Sequence, residues 1–181
     1  MRPRLGEDWA VSVPELDFTV SSVVAHASLV TLWYSIDVWS GREDLAAFEL
    51  SVSEGAPPSV VLGGFTQAVM VCAAAVDAAP PDLRGFHPAG SPDPAGFAAM
   101  ACDEMLIHTD DAMRGLGSRL DPPRSLAAAL LARLFPWHEA GDDPWQTLLW
   151  ANGRPSELDR PPVGKWQWYC APLSEWSGIV P

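Results

Sequence analysis

Apolar residues recur at intervals of three and four in blocks divided by proline, and most blocks open on a residue able to cap a helix. The first block predicts a helix from about Val20 to Trp39. Thr19 stands at its N-cap, Phe18 and Val23 occupy the two positions of a hydrophobic staple, and Gly41 lies just past its end. A second helix follows Pro57-Pro58-Ser59 through an Ala/Val-rich stretch to Ala79, where Pro80-Pro81 stops it. A third opens at Asp93-Pro94, a cap followed by proline at the first helical position, and runs to Leu116 or Gly117. Two shorter helices are expected: one after Asp121-Pro122 with Leu126, Leu130 and Leu134 on one side, and one from Asp143-Pro144 to a stop at Gly153. The segment Lys165-Trp166-Gln167-Trp168-Tyr169 alternates at period two, as a short strand or extended strap would. The pattern is all-α, without an internal repeat, and predicts one domain over residues 1–181, with a bundle over about 17–118 and further helices and a Trp-rich strap over about 121–181.

The third helix carries the chemistry. Phe97, Ala101, Glu104, His108, Ala112 and Gly115 share one face, and two of these are ionisable. A carboxylate facing a core is costly unless paired, hydrogen-bonded or bound to a metal. The Glu-x-x-x-His spacing places the two side chains about 5–6 Å apart at Cβ, a bite that suits one cation. Spacing alone favours the plainer reading, a hydrogen bond within one helix. His26 shifts the balance, since it lies in the first helix on a stripe with Val23, Val30 and Trp33, where an imidazole is expected to be buried. If the two helices pack together, His26, Glu104 and His108 form a His₂Glu set with an open position, the composition of a catalytic rather than a structural metal site.

The remaining candidates are weaker. Asp111, three residues beyond His108, either orients that imidazole or is a solvated helix-end acid. His87, in the loop Gly85-Phe86-His87-Pro88, either lines the site or is a plain loop residue, and His138 reads as an exposed position between helices. Trp166, Trp168 and Tyr169 are either core and strap or the apolar wall of a pocket over the metal.

Charge narrows the partners. The 23 acidic residues against 11 basic ones give a net charge of −12, which repels nucleic-acid phosphates and anionic membranes. No apolar run approaches the roughly 20 residues of a membrane span, and Met1-Arg2-Pro3-Arg4 leads to Glu7-Asp8 rather than to a secretory apolar stretch, so a cytoplasmic protein is expected. Cys72, Cys102 and Cys170 are odd in number and far apart, which predicts reduced structural thiols. No GxSxG elbow, phosphate loop or dinucleotide fingerprint is present.

These residues, in this order, resemble the DinB-like superfamily and within it the metal-binding domain of the mycothiol-dependent maleylpyruvate isomerase group. The similarity takes in Leu16-Asp17-Phe18-Thr19-Val20 to Val24-Ala25-His26, Phe86-His87-Pro88 with Asp93-Pro94-Ala95-Gly96-Phe97, and Asp103-Glu104 to His108 with Asp111. It continues in Leu149-Trp150-Ala151-Asn152-Gly153-Arg154 and Trp166-Gln167-Trp168. The resemblance implies an up-down four-helix bundle binding a zinc-type ion (nickel and iron being the other candidates) through His26, Glu104 and His108. It also implies a low-molecular-weight thiol such as mycothiol, bound to the metal as thiolate and acting as nucleophile on a small-molecule substrate. The chain departs from the family in two ways. The family's first helix has no counterpart here, so that the segment near Leu126–Phe135 or a second subunit in a homodimer is left to cover the groove, or Met1 is not the true start. The isomerase's extra C-terminal domain is also lacking. The leading expectation is therefore a thiol S-transferase or isomerase-like enzyme. A non-haem oxygenase or hydrolase on the same His₂Glu set, and a non-catalytic metal- or ligand-binding protein, are the alternatives.

Overall fold

A computed structural model describes residues 4–43, 49–53, 55–164 and 166–180. Met1, Arg2, Pro3 and Lys165, on which parts of the leader and strap expectations fall, lie outside the described residues. Five helices form in the order α1 (Val20–Asp37), α2 (Pro58–Ala78), α3 (Pro94–Gly115), α4 (Arg124–Leu134) and α5 (Pro144–Ala151), followed by a single 3-10 turn at Leu173–Glu175. The class is all-α, and no strand forms among the described residues.

Local sequence accounts for the helix starts. Thr19 accepts from the Ser22 backbone N–H while the Ser22 hydroxyl accepts from the Thr19 N–H, a reciprocal capping box. Asp93 and Asp143 cap α3 and α5, each with proline at the first helical position. The staple does not form as expected: Val23 is buried, but Phe18 is 51% exposed and lines a cavity instead. Helix α4 follows Asp121-Pro122 as expected, with Pro123 at its N-cap and no side-chain cap. Two prolines follow Asp121, and the residue before a proline disfavours helical backbone, so the helix begins after Pro123. Its buried side comprises Ala127, Leu130, Leu131 and Leu134, with Leu126 36% exposed.

Helix α1 packs against both α2 and α3, and α4 joins α5 on another side of α3. One apolar cluster gathers Phe97, Met100, Leu131, Leu134, Phe135, Leu148, Leu149 and Trp168 between α3, α4, α5 and the strap. A smaller cluster joins Trp9 and Val13 of the N-terminal segment to Val20, Val23 and Val24 of α1 and to Ala112 of α3. That N-terminal segment is held by Val20 N–H donating to Val11 C=O and by Val13 N–H donating to Phe18 C=O. The strap runs extended against α3 and α4: Tyr169 N–H donates to Leu134 C=O, and Arg133 donates to Asp93 at 2.7 Å and to Cys170 C=O at 2.9 Å. Gly96 is where this approach is closest, for a Cβ there would collide with the Cys170 carbonyl and the Arg133 guanidinium. The three cysteines are free thiols whose pKa values burial raises, that of Cys170 to about 11.

Helix α2 departs from expectation. It is the one helix among the described residues long and apolar enough to cross a membrane by length and composition, and only 17% of that stretch is buried. Thr66 and Gln67 interrupt the run of apolar letters without outweighing its valines and alanines.

Candidate metal centre

The packing of α1 on α3 brings His26, Glu104 and His108 together. Their ligand atoms all lie within 4.8 Å of one another, and the two imidazoles meet edge to face with centroids 5.0 Å apart. Expected on a buried stripe, His26 is instead exposed and opens into a cavity, because α1 turns this position toward the space bounded by α3 and the strap. Partial desolvation by the cavity walls and the neighbouring His108 lower its pKa, so its ring is neutral and able to ligate at physiological pH.

Glu104 and His108 are more enclosed, with side chains 11% and 15% exposed. Glu104 Oε2 lies 2.9 Å from His108 Nε2, yet it is buried and receives no well-aligned hydrogen bond. The other carboxylate oxygen takes a long 3.5 Å bond from the Tyr34 hydroxyl, whose pKa is raised by burial and by Glu104.

Asp111 is fully buried and bonds to His108 Nδ1 at 3.0 Å, so it is no solvated helix-end acid. Arg154 grips the same carboxylate, Nε to Oδ1 and Nη2 to Oδ2, each at 3.0 Å. With Nδ1–H pledged to Asp111, the lone pair of a neutral His108 is on Nε2 and faces Glu104 Oε2. Two electron pairs 2.9 Å apart repel unless a proton or metal ion lies between them. In the metal-free protein a proton does: burial alone would lower the His108 pKa, but Asp111 and Glu104 outweigh it and hold the imidazolium up to about 9.

A second buried acid, Asp103, extends the network. Its carboxylate accepts from Trp168 Nε1 at 3.0 Å and from Asn152 Nδ2 at 3.1 Å, and Asn152 Oδ1 accepts from Trp166 Nε1 at 2.9 Å. Burial, then the charge of Glu104, pushes the Asp103 pKa up to about 7. These bonds fix the strap over a cavity of about 620 Å³ whose walls include His26, Glu104, His108, Arg154, Trp166 and Trp168.

His87 does not line this cavity. It sits half-buried with ring contacts to Tyr34 and Trp168 at 5.9 and 5.8 Å, its Nδ1 accepting from the Ala89 N–H. Tyr169 also points away, its hydroxyl donating to the Pro172 carbonyl. His138 is not exposed as expected: it accepts from Trp137 Nε1 and packs on Trp150, because the surrounding tryptophans give an imidazole apolar faces to cover. Sequence reasoning from the residues themselves missed Asp103, Asn152, Tyr34 and Arg154. The signal available for Asp103 and Asn152 was polarity at positions where their helices otherwise turn apolar residues inward.

No family model, curated protein or solved structure matches the chain.

Proposed function

We propose that this chain is a metal-dependent enzyme of the DinB-like type, holding a divalent ion, zinc in the first instance, with His26, Glu104 and His108. We further propose that it activates a thiol of the mycothiol kind for transfer to, or isomerisation of, a small electrophile. The observation that carries the reading is the convergence of buried Glu104 Oε2 and His108 Nε2, 2.9 Å apart, with a second, neutral imidazole whose ligand atom lies within 4.8 Å of both. The donor set fits the ion: two imidazoles and one carboxylate leave a fourth position open.

When bound, the cation supplies the positive charge that deprotonates a thiol at neutral pH. The rest falls to the protein. Asp111 holds His108 in the tautomer that turns Nε2 inward, and Arg154 keeps Asp111 ionised and in place. Tyr34 steadies Glu104. Phe18, Val23, Ile107, Trp166 and Trp168 provide an apolar wall against which an organic electrophile packs. The thiol gives up its proton, the sulfur bonds to an electrophilic carbon, and the displaced π pair moves onto the adjoining atom, which takes up a proton.

The test is metal analysis of the purified protein followed by titration of the cobalt-substituted form with mycothiol. One equivalent of metal and a new thiolate-to-cobalt absorption band are expected. Absence of stoichiometric metal, or a cobalt spectrum indifferent to thiol, defeats the reading.

A further inference from the structure

The cavity of about 620 Å³ has two chemically distinct parts: the proposed ligands, and a wall whose polar side chains are already paired within the protein. Among the described residues Arg154 is the one arginine or lysine on that wall, and all three of its nitrogens have acceptors. Nε and Nη2 donate to Asp111, and Nη1 donates to the Asn152 carbonyl at 3.2 Å. Asn152 is likewise complete, its amide nitrogen donating to Asp103 and its amide oxygen accepting from Trp166. In the metal-free protein the His108 imidazolium lies between Glu104 and Asp111, within 3.0 Å of both. Two acids, Asp103 and Glu104, face the same space, in a chain of net charge −12. An anionic group entering this cavity therefore meets carboxylates and no open cation.

What the wall does present is aromatic surface. Phe18 is 51% exposed and Trp166 is 41% exposed, and both line this cavity. Exposed apolar residues are ordinary when scattered singly, but here two rings share one concave wall. Trp166 is held in place twice: Nε1 donates to Asn152 Oδ1 at 2.9 Å, and the ring meets Trp168 edge to face with centroids 4.8 Å apart. An indole fixed in this way has little freedom left to lose when a ligand covers it, which favours recognition by stacking. Phe18, whose position predicts a staple onto Val23, stands on this wall instead.

We propose that the substrate carries an uncharged aromatic ring beside its reactive carbon, and that Trp166, with Phe18, selects that ring. The inference rests on the metal-centre reading for the reaction and on the cavity wall for the recognition. A flat π system covers an indole face more closely than a puckered saturated ring, and its polarised edge adds to the contact. Trp166 is thus a specificity-determining residue that touches the non-reacting part of the substrate.

Calorimetric titration of the zinc-loaded and the metal-free protein with naphthamide, with its fully saturated decahydro analogue and with anionic naphthoate tests this. In the metal-free protein naphthamide is expected to bind at least about tenfold more tightly than either of the others. In the zinc-loaded protein the preference for naphthamide over the saturated amide is expected to persist, because the rings contact the wall and not the ion. Trp166→Ala is expected to bring the affinity ratio of the two amides close to one, whereas a merely structural loss would weaken both alike and leave the ratio in place. Trp166→Phe keeps a ring and is expected to retain most of the ratio, and Phe18→Leu to lower it by a smaller factor than Trp166→Ala. Equal affinity for the two amides, naphthoate binding the metal-free protein as tightly as naphthamide, or an unchanged ratio in Trp166→Ala overturns the proposal. A cobalt–thiol titration that fails while the ring preference holds removes the metal reading and leaves the aromatic site standing, and the opposite pair of results removes the aromatic site alone.

Discussion

Helices α2 and α3 are nearly equal in length, 21 and 22 residues, and opposite in how composition relates to burial. Helix α2 has one charged residue, Asp77, and buries three side chains, Val61, Ala68 and Cys72. Helix α3 carries five acidic or basic residues and a histidine, yet eleven of its residues are buried, three of them aspartates. Apolar surface left in water costs roughly 25 cal/mol per Å², whereas a buried carboxylate costs several kcal/mol unless paired. Exposed Val60, Met70 and Val71 are therefore individually cheap for α2, while each inward acid of α3 demands an answer: Asn152 and Trp168 for Asp103, His108 and Arg154 for Asp111, Arg119 and the Leu120 N–H for Asp110. The proposed site sits where polar burial had to be compensated, not where the chain is most hydrophobic.

The comparison is broken most severely at Asp111. Asp111→Ala leaves Arg154 and Arg114 without their shared carboxylate, and a loss of about 3–5 kcal/mol is expected in denaturant unfolding. Zinc affinity, followed by chelator competition, should fall 10–100-fold as His108 loses its orienting partner. A loss under 1 kcal/mol would mean that the buried acids of α3 do not hold the fold.

Proton linkage gives the next effect. The folded pKa of His108, about 9, lies above its unfolded value of about 6.5, so the native state binds the extra proton. This contribution is complete below pH 6.5 and disappears as pH rises through 9, a decline on the order of 3 kcal/mol in the metal-free protein. His108→Gln should flatten that stretch of the stability profile. In the wild type, zinc uptake at pH 7.5 should release about one proton, readable with an indicator dye in weak buffer.

His26→Ala separates function from fold, since the exposed imidazole supports no core. Metal affinity is expected to drop at least tenfold, or about 1.4 kcal/mol, with the stability of the metal-free form within about 0.5 kcal/mol of wild type. Coupled loss of both would contradict the exposed position of His26. The smallest effect belongs to α2: Met70→Lys, at a residue 68% exposed, should change monomer stability by less than about 0.5 kcal/mol. A larger loss in thermal unfolding would show that the outer face of α2 is covered in solution.

Much of this was legible from residues because the signals are local. Thr19, Asp93 and Asp143 announce three helix starts through a side chain that reaches only two or three residues onward. Glu104 and His108 are paired by helical spacing, and the face of α1 that carries His26 follows from the same period. What a period cannot show is what lies opposite a face. His26 was therefore placed on the expected helix but given the wrong burial, and the apolar α2 was not seen to lie outside. The bonds from Trp168 and Asn152 to Asp103 join residues 65 and 49 positions apart, and no local rule specifies such a pairing. The start of α4 was legible in the same local way as the other helix starts, for it follows Asp121-Pro122 by a second proline, Pro123.

The order in which the cavity is assembled follows from where its wall lies in the chain. His26, Glu104 and His108 are all synthesised before the indole of Trp168, which is about 60 residues further on. At roughly 5–20 residues per second that gap lasts about 3–12 s. During translation the three proposed ligands thus exist before their tryptophan cover, and under the proposed function a cation acquired in that interval would meet an unroofed site.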